Sequence, residues 1–149
     1  MTAAITINAF YVYLTAKTDL MAALSNNLYK YNLEKTDLAG SGESALVINL
    51  TGGDAPRPNH TTNPRLNCTI YSDHTRNASK EITAMDRYDR MYNIWRIIDP
   101  LLHWVDHEPQ VLDGMQITGC LRAIEPTLND DKDAGLPYLW AAYDISRVF

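Results

Sequence analysis

The strongest constraint on the fold is a helical hydrophobic pattern over residues 79–99. Apolar residues recur there every three or four positions, and polar or charged residues fill the positions between them. Such a pattern is typical of an amphipathic helix that packs one face against a core. The recurring apolar residues are Ile82, Met85, Tyr88, Tyr92, Trp95 and Ile98. Pro100 interrupts the pattern, but Asp99 followed by Pro100 can also begin a helix, so we predict a second short helix over 100–106.

Two pairs of short runs, rich in β-branched and aromatic residues, predict two β-hairpins. The first pair is residues 45–50 and 66–72, and the second pair is residues 115–124 and 138–148. Turn-forming residues separate the members of each pair, as expected for antiparallel neighbours. The alternation of buried and polar positions in the last run is typical of a strand with one face on the core.

Two segments near the N-terminus predict short helices. Residues 7–16 place Phe10 and Leu14 on one helical face, and a second segment begins at Thr18. Together with the hairpins, these segments predict an α+β fold. We expect a single domain over residues 1–149, in which a mostly antiparallel sheet of about four strands, built from two hairpins, packs against a long amphipathic helix and the short N-terminal helices.

The composition and net charge of the chain limit the classes of protein to which it can belong. The chain has 149 residues, of which 46% are hydrophobic and 21% charged, a composition typical of one globular domain. The net charge of −5 argues against a protein whose main work is to neutralise phosphates. No apolar run approaches the roughly 20 residues that span a bilayer, and no basic segment precedes the apolar N-terminal part. We expect a chain without a membrane span, made in a cytoplasm.

Residues 51–65 predict a long flexible loop, because three prolines and two glycines prevent both a helix and a regular strand. Basic and imidazole side chains gather in or beside this loop. They are Arg57, His60, Arg65, His74 and Arg76. Two interpretations stand: an ordinary solvated loop end, or an interaction surface that becomes ordered on contact with neighbours. We take these five residues as the candidate interface.

His103 and His107 lie four positions apart and could share a metal on one helical face. Trp104, however, follows the first histidine where the zinc protease motif requires a glutamate. A metal site would also need a third ligand and supporting hydrogen bonds. We therefore predict no metal site, and keep a small metal-dependent hydrolase using His103 and His107 only as an alternative function.

The acidic loop at 129–135 fails as a calcium site. When its first acidic positions are aligned with those of a calcium loop, Ala134 stands where glycine is required and Trp140 where the bidentate glutamate belongs. The chain also lacks a phosphate-binding glycine motif and a nucleophile elbow. We assign no catalytic residue and no cofactor, and we expect no enzyme.

Cys68 and Cys120 are the two cysteines of the chain, and both lie in apolar strand-like runs. Two buried, unreactive thiols are one interpretation. A single bridge between neighbouring strands is the alternative.

Residues 65–99, followed by residues 117–149, resemble the tail terminator proteins of long-tailed bacteriophages, the family of the lambda minor tail protein U. The shared features are a strand that ends in a Tyr-Ser pair, a glutamate-containing helix that spaces aromatic and aliphatic residues, and a closing hairpin whose last strand alternates. The opening segment, residues 8–24, is similar to the short first helix of that family.

The resemblance implies an α+β subunit that forms a hexameric ring on the finished end of the tail tube. Such a ring stops tube polymerisation and joins the tail to the head, so the implied partners are other copies of the chain, the major tail tube protein and a head completion or neck protein. DNA would pass through the lumen without specific binding. The implied location is the tail or neck of a virion assembled in the host cytoplasm. Another phage neck protein, a head-tail connector or head completion protein, is the alternative.

Overall fold

The structure, a computed structural model, describes residues 3–34, 38, 40–51, 64–73, 79, 87–105, 109–131 and 136–147. In chain order its elements are α1 (Ala3–Thr15), α2 (Thr18–Ala23), β1 (Leu28–Lys30), β2 (Ser44–Thr51), β3 (Arg65–Ser72), α3 (Arg87–Leu102), β4 (Gln110–Leu112), β5 (Met115–Asp131) and β6 (Leu136–Arg147). Within these described ranges, no helix is both long and apolar enough to cross a membrane.

All six strands belong to one sheet, in the order β1-β2-β3-β6-β5-β4. The two predicted hairpins are present as β2 with β3 and β5 with β6, and antiparallel pairing of β3 with β6 joins them. Pairing of β5 with β6 is irregular at three places, between Ile117 and Gly119, between Arg122 and Ile124, and between Ile124 and Thr127. Irregularities of this kind bend a strand. The sheet is accordingly curled, close to half a barrel.

The predicted four-stranded, mostly antiparallel sheet against a long helix is wrong. The sheet has six strands and is mixed, because β1 pairs with β2 in parallel. β1 and β4 have three residues each, too few for an alternating pattern to be recognised in the sequence. The helices are short beside the sheet, and α3 has 16 residues.

The predicted helix over 79–99 is confirmed from residue 87 onward, and residues 80–86 lie outside the described part. Its apolar stripe faces the core, with Met91, Ile94, Ile98 and Leu102 all buried. These residues recur at intervals of three and four, which places them on one side of the helix. Of the predicted apolar stripe, Ile98 is buried, Tyr92 and Trp95 are partly buried against the core, and Tyr88 is 39% exposed, so the predicted face was only partly correct.

The prediction of a separate helix over 100–106 is wrong, because α3 continues through Pro100 and ends at Leu102. Proline has no N–H, so its place in a helix interior removes one backbone hydrogen bond. Here it stands in the last turn. The His103 N–H donates to the Asp99 carbonyl over 2.7 Å, which completes that turn before the chain leaves the helix.

The two N-terminal helices are confirmed, and they pack with α3 against one face of the sheet. The main core between them combines helix and strand residues. Its fully buried members include Ile7, Phe10, Leu14, Leu46, Ile48, Leu66, Ile70, Leu139, Tyr143 and Ile145. Burying a side chain of this size contributes about 1.5–3 kcal/mol relative to exposure. This core fixes the register of the central strands, because a shift by one residue would expose the apolar side chains.

A smaller apolar cluster lies on the opposite face of the sheet. Ala45 and Val47 of β2 and Tyr71 of β3 meet Leu38 and Leu136 there. As a result β2 is buried on both faces at its start, which explains its nearly continuous apolar sequence.

Cys68 and Cys120 are free and buried in the main core, so the first interpretation is confirmed and the bridge is not formed. Burial raises the pKa of Cys68 from its ordinary value of 9.0 to about 12. Burial, with Cys68 and Asp144 as smaller contributions, also raises the pKa of Cys120. Both thiols therefore stay protonated at neutral pH.

Candidate interaction surface

Of the five candidate interface residues, Arg65 lies in the described part. Arg57, His60, His74 and Arg76 lie outside the described residues. Arg65 begins β3 and stands directly opposite Asp144 of β6. Its Nε donates to Asp144 Oδ1 over 3.0 Å, and both side chains are roughly half exposed. An exposed pair of this kind adds little stability, so the role of Arg65 in an interface stays a prediction.

His103 lies directly after α3, and its imidazole takes part in a structural contact. Its Nδ1 accepts a hydrogen bond from the backbone N–H of Arg122 over 2.9 Å. Only Nε2 would remain to bind a metal. Among the described residues no group of three or more metal-ligating side chains comes together, and His107 lies outside them. In the structure His103 therefore has a structural role. Its imidazole binds a backbone N–H at the edge of β5, next to the end of α3.

Asp99 is the centre of a polar cluster between α3 and the last two strands. Its Oδ1 accepts from the Tyr143 hydroxyl over 2.9 Å, and its Oδ2 accepts from Arg122 Nη1 over 2.7 Å. The Arg122 guanidinium also lies over the Trp95 ring, 5.6 Å from its centroid. Charge-assisted bonds of this length are the stronger kind. One carboxylate therefore ties α3 to β5 and β6.

A second polar cluster holds the start of α3. Arg90 Nη1 donates to the carbonyls of Gly42 and Asp73 over 2.8 and 2.9 Å. The Asp73 carboxylate accepts from the backbone N–H groups of Gly40 and Gly42 over 2.8 and 2.9 Å. Burial lowers the pKa of Arg90, while Asp73 and Glu43 act in the opposite direction. The cluster joins α3, the end of β3 and the turn before β2.

The sheet has an edge on each side that the described residues leave largely open. β4 covers β5 only over Met115–Ile117, and beyond it the Trp104 N–H donates to the Cys120 carbonyl over 2.8 Å. No described strand pairs with the rest of that edge. On the other side, β1 has β2 as its one described strand neighbour.

Exposed apolar side chains concentrate at these edges. Val105, Val111, Leu121 and Leu128 lie on β4, on β5 or on the segment that contacts the edge of β5, and are 44–69% exposed. Tyr31, 49% exposed, follows β1. Leu121 stands opposite Asp144 and Leu128 opposite Leu139, so these two side chains lie on opposite faces of the sheet and do not form one continuous patch.

Tyr31 also has a strained backbone. Its φ is +73°, in the left-handed region that glycine and asparagine adopt readily and a bulky aromatic residue rarely does. The Tyr31 N–H donates to the Ile48 carbonyl over 2.9 Å and ends the pairing of β1 with β2. Sequence analysis missed this residue, because no local pattern predicts a left-handed tyrosine.

No protein-family model and no curated protein sequence matches the chain. Its fold is similar to that of a solved chain from the "virion of native gene transfer agent (GTA) particle", with a TM-score of 0.52 and 12% identity. The similarity covers 92% of this chain and 90% of that chain. At this identity, the likeness shows a shared fold over nearly the full length of both chains.

Proposed function

We propose that this chain is a structural protein of a phage-type virion. The observation that carries the proposal is the fold shared, over nine tenths of both chains, with a chain of the gene transfer agent virion. A match of that extent leaves about one tenth or less of either chain outside it, so it is a likeness of fold over nearly the full length of both. The net charge of −5 also fits a subunit whose contacts are mainly with proteins.

Within that class we propose the role of tail terminator. The subunit would form a ring, with six copies as the expected number, on the end of the tail tube, stop its polymerisation and offer a surface to a head completion or neck protein. The resemblance of residues 65–99 and 117–149 to the tail terminator family supports this finer assignment. DNA would pass through the ring without specific binding. The protein would act by binding its neighbours in the assembly and not by catalysing a reaction.

The curled sheet suits a ring subunit. Antiparallel pairing across four of the five strand junctions, together with the clusters around Asp99 and Arg90, makes one rigid body of sheet and α3. A rigid wedge sets the angle between neighbours, and a fixed angle is the condition for a closed ring.

Electron microscopy of purified protein mixed with tail tubes tests the proposal. Closed rings at one end of each tube, with tubes of defined length, are the expected result. A protein that forms rings and leaves tube ends bare would contradict the terminator role. Rings or single subunits bound to the portal side of heads would instead identify a head-tail connector or head completion protein.

A further inference from the structure

We propose that the outer edge of β5 is closed to the addition of another β-strand, so that subunits do not join on this side by extending the sheet of one into the sheet of the next. The inference goes beyond the proposed function, because it concerns the single subunit, whatever assembly that subunit enters. It is carried by hydrogen bonds along the edge, by the irregular register of β5 and by one proline.

The outer edge of β5 is long, and without protection it would be a site of association. β5 has 17 residues, and β4 pairs only with the first three, Met115–Ile117. None of the other described strands lies on that side. A long edge with free backbone N–H and C=O groups is a template for pairing with another chain. Leu121 and Leu128, 48% and 44% exposed, add an apolar side chain on each face of the sheet along this edge.

Backbone groups in the middle of this edge are already bonded within the subunit. The Cys120 carbonyl accepts from the Trp104 N–H over 2.8 Å, and the Arg122 N–H donates to His103 Nδ1 over 2.9 Å. Leu121, between them, pairs with β6, so residues 120 and 122 direct their backbone groups away from β6, to the side where a new strand would lie. Such a strand would have to break both bonds. A side chain makes the second bond, which closes the position without forming a further strand edge.

The segment that makes these two bonds is held by the end of α3 and by the core. Trp104 is 4% exposed, and its Nε1 donates to the Leu101 carbonyl over 2.6 Å. Its ring meets the Tyr13 ring of α1 edge-on, with 6.4 Å between the centroids. The His103 N–H donates to the Asp99 carbonyl over 2.7 Å. A strand that displaced this segment would expose a buried indole to water, which opposes the exchange.

The next part of β5 lacks the regular geometry that an added strand requires. Its register with β6 shifts between Arg122 and Ile124 and again between Ile124 and Thr127, and such shifts bend and twist a strand. Pro126 has no N–H and so removes one donor. Thr127 Oγ1 donates to the Glu125 carbonyl over 3.1 Å, so this acceptor already has a partner. Bulges and prolines are two means by which proteins protect exposed edges.

Restoring a regular edge tests the inference. The double variant Pro126→Val/Thr127→Val supplies the missing N–H and frees the Glu125 carbonyl. Light scattering over a concentration series measures association, and the infrared amide band of intermolecular β-sheet shows whether strands mediate it. Each backbone hydrogen bond that is gained strengthens association severalfold. The double variant should therefore form intermolecular sheet at a concentration about 10-fold lower than the wild type.

Thr69→Val is the matched control. Thr69 and Thr127 both pair with Trp140, so they lie in the same row across the sheet, but Thr69 is on β3, which has a strand on each side. The control therefore makes the same chemical change without opening an edge, and it should associate as the wild type does. Association of the control at the concentration found for the double variant would overturn the proposal, because added apolar surface would then be the cause.

Thermal unfolding separates association through the edge from aggregation caused by lost stability. The melting temperature of each variant is measured, and association is compared at the same interval below it. We expect the excess association of the double variant to persist in this comparison. An excess that disappears, or a double variant that stays as dispersed as the wild type, would refute the closed edge.

Hydrogen exchange of the Arg122 amide tests the middle of the edge. His103→Ala removes the acceptor, and the Arg122 amide should then exchange about 10-fold faster than in the wild type. His103→Asn can supply an amide oxygen as the acceptor and should restore most of the protection. Equal exchange rates in the wild type and His103→Ala would show that His103 does not close this position.

The outcomes also separate this inference from the proposed function. A wild type that caps no tail tubes and forms no intermolecular sheet would contradict the terminator role and leave the closed edge standing. A wild type that caps tubes but associates through strands as readily as the double variant would support the role and refute the closed edge.

Discussion

The Tyr143 hydroxyl donates a hydrogen bond of 2.9 Å to Asp99 Oδ1 and thereby joins the last strand to the last turn of α3. Burial, with the neighbouring Asp99 as a smaller contribution, raises the pKa of Tyr143, so the hydroxyl keeps its proton and remains a donor. Arg122 binds the other carboxylate oxygen over 2.7 Å. The position of α3 on the sheet thus depends on a carboxylate as well as on apolar packing.

Tyr143→Phe should lower the free energy of unfolding by about 1–2 kcal/mol, because it removes a partly buried hydrogen bond to a carboxylate and little volume. Asp99→Asn weakens the same bond and also the pair with Arg122. Urea unfolding of both single variants and of the double variant measures the coupling, which we expect at about 1 kcal/mol. Strictly additive losses would mean that the two side chains act independently.

Arg90→Met should lower the free energy of unfolding by about 2–3 kcal/mol, since the carbonyls of Gly42 and Asp73 lose a charged donor and stay partly buried. Arg96→Met is the matched control in the same helix. Arg96 Nη1 bonds the exposed Asn93 side chain over 2.7 Å, and its loss should cost less than about 0.5 kcal/mol. Equal losses for the two arginines would remove the special role of Arg90.

The sequence predicted those parts of the fold that have long periodic patterns. The alternation in residues 138–148 identified a strand, and the spacing of apolar residues up to Ile98 identified a helix, although the buried side of that helix also contains Met91, Ile94 and Leu102, which the predicted stripe did not include. β1 was missed because Leu28–Lys30 is too short to show a period, and its parallel pairing depends on contacts distant in sequence. The hairpin of β4 with β5 did have a signal, the Asp113-Gly114 pair, which is typical of a two-residue turn.

The candidate interface was less predictable than the fold. The sequence pointed to charged residues such as Arg65, which the structure places in an exposed cross-strand pair. The left-handed backbone of Tyr31 and the open edge of β5 are further features of the surface that the fold reveals. Both depend on how the chain is folded and not on which residues are near each other in sequence, so composition and spacing could not indicate them.

Gly114→Ala should lower the free energy of unfolding by about 1 kcal/mol through backbone strain alone. Gly114 has a φ of +79°, and an added Cβ would meet no atom within 4 Å. Gly119→Ala is the control, since its Cβ would make an ordinary contact of 3.7 Å with Ser146 Cβ and its φ is not left-handed. We expect the control to change stability by less than about 0.5 kcal/mol in thermal unfolding. A larger loss at Gly119 than at Gly114 would contradict this explanation.

Stability should fall as the pH rises above 9. The Cys68 thiol of the unfolded chain ionises near its ordinary pKa of 9.0, while the folded chain retains that proton up to a pKa of about 12. The unfolded state therefore binds fewer protons in this window, and the free energy of unfolding decreases by about 1.4 kcal/mol per pH unit for this group. Below pH 9 the contribution is fully present.

The Cys68→Ala variant checks this dependence. Urea unfolding at pH 7.5, 9 and 10.5 should show a smaller decrease for the variant than for the wild type, by about 2 kcal/mol at pH 10.5. The missing sulfur also lowers the free energy of unfolding by an amount that does not depend on pH. That loss does not affect the comparison, because only the change of the free energy of unfolding with pH is compared. Parallel curves for the two proteins would show that Cys68 ionises equally in both states.

Arg65→Ala should leave folding almost unchanged and weaken assembly. The pair with Asp144 is half exposed, so its loss should lower the free energy of unfolding by less than about 1 kcal/mol. If Arg65 contacts a neighbouring subunit or the tail tube, its removal takes away a charged anchor, and binding measured by sedimentation with tail tubes should decrease severalfold. Asp144→Ala is the control, because it breaks the same pair and leaves Arg65 in place to bind. Equal binding by the wild type and Arg65→Ala would exclude Arg65 from the interface, whereas equal weakening by both variants would show that the ion pair itself shapes that surface.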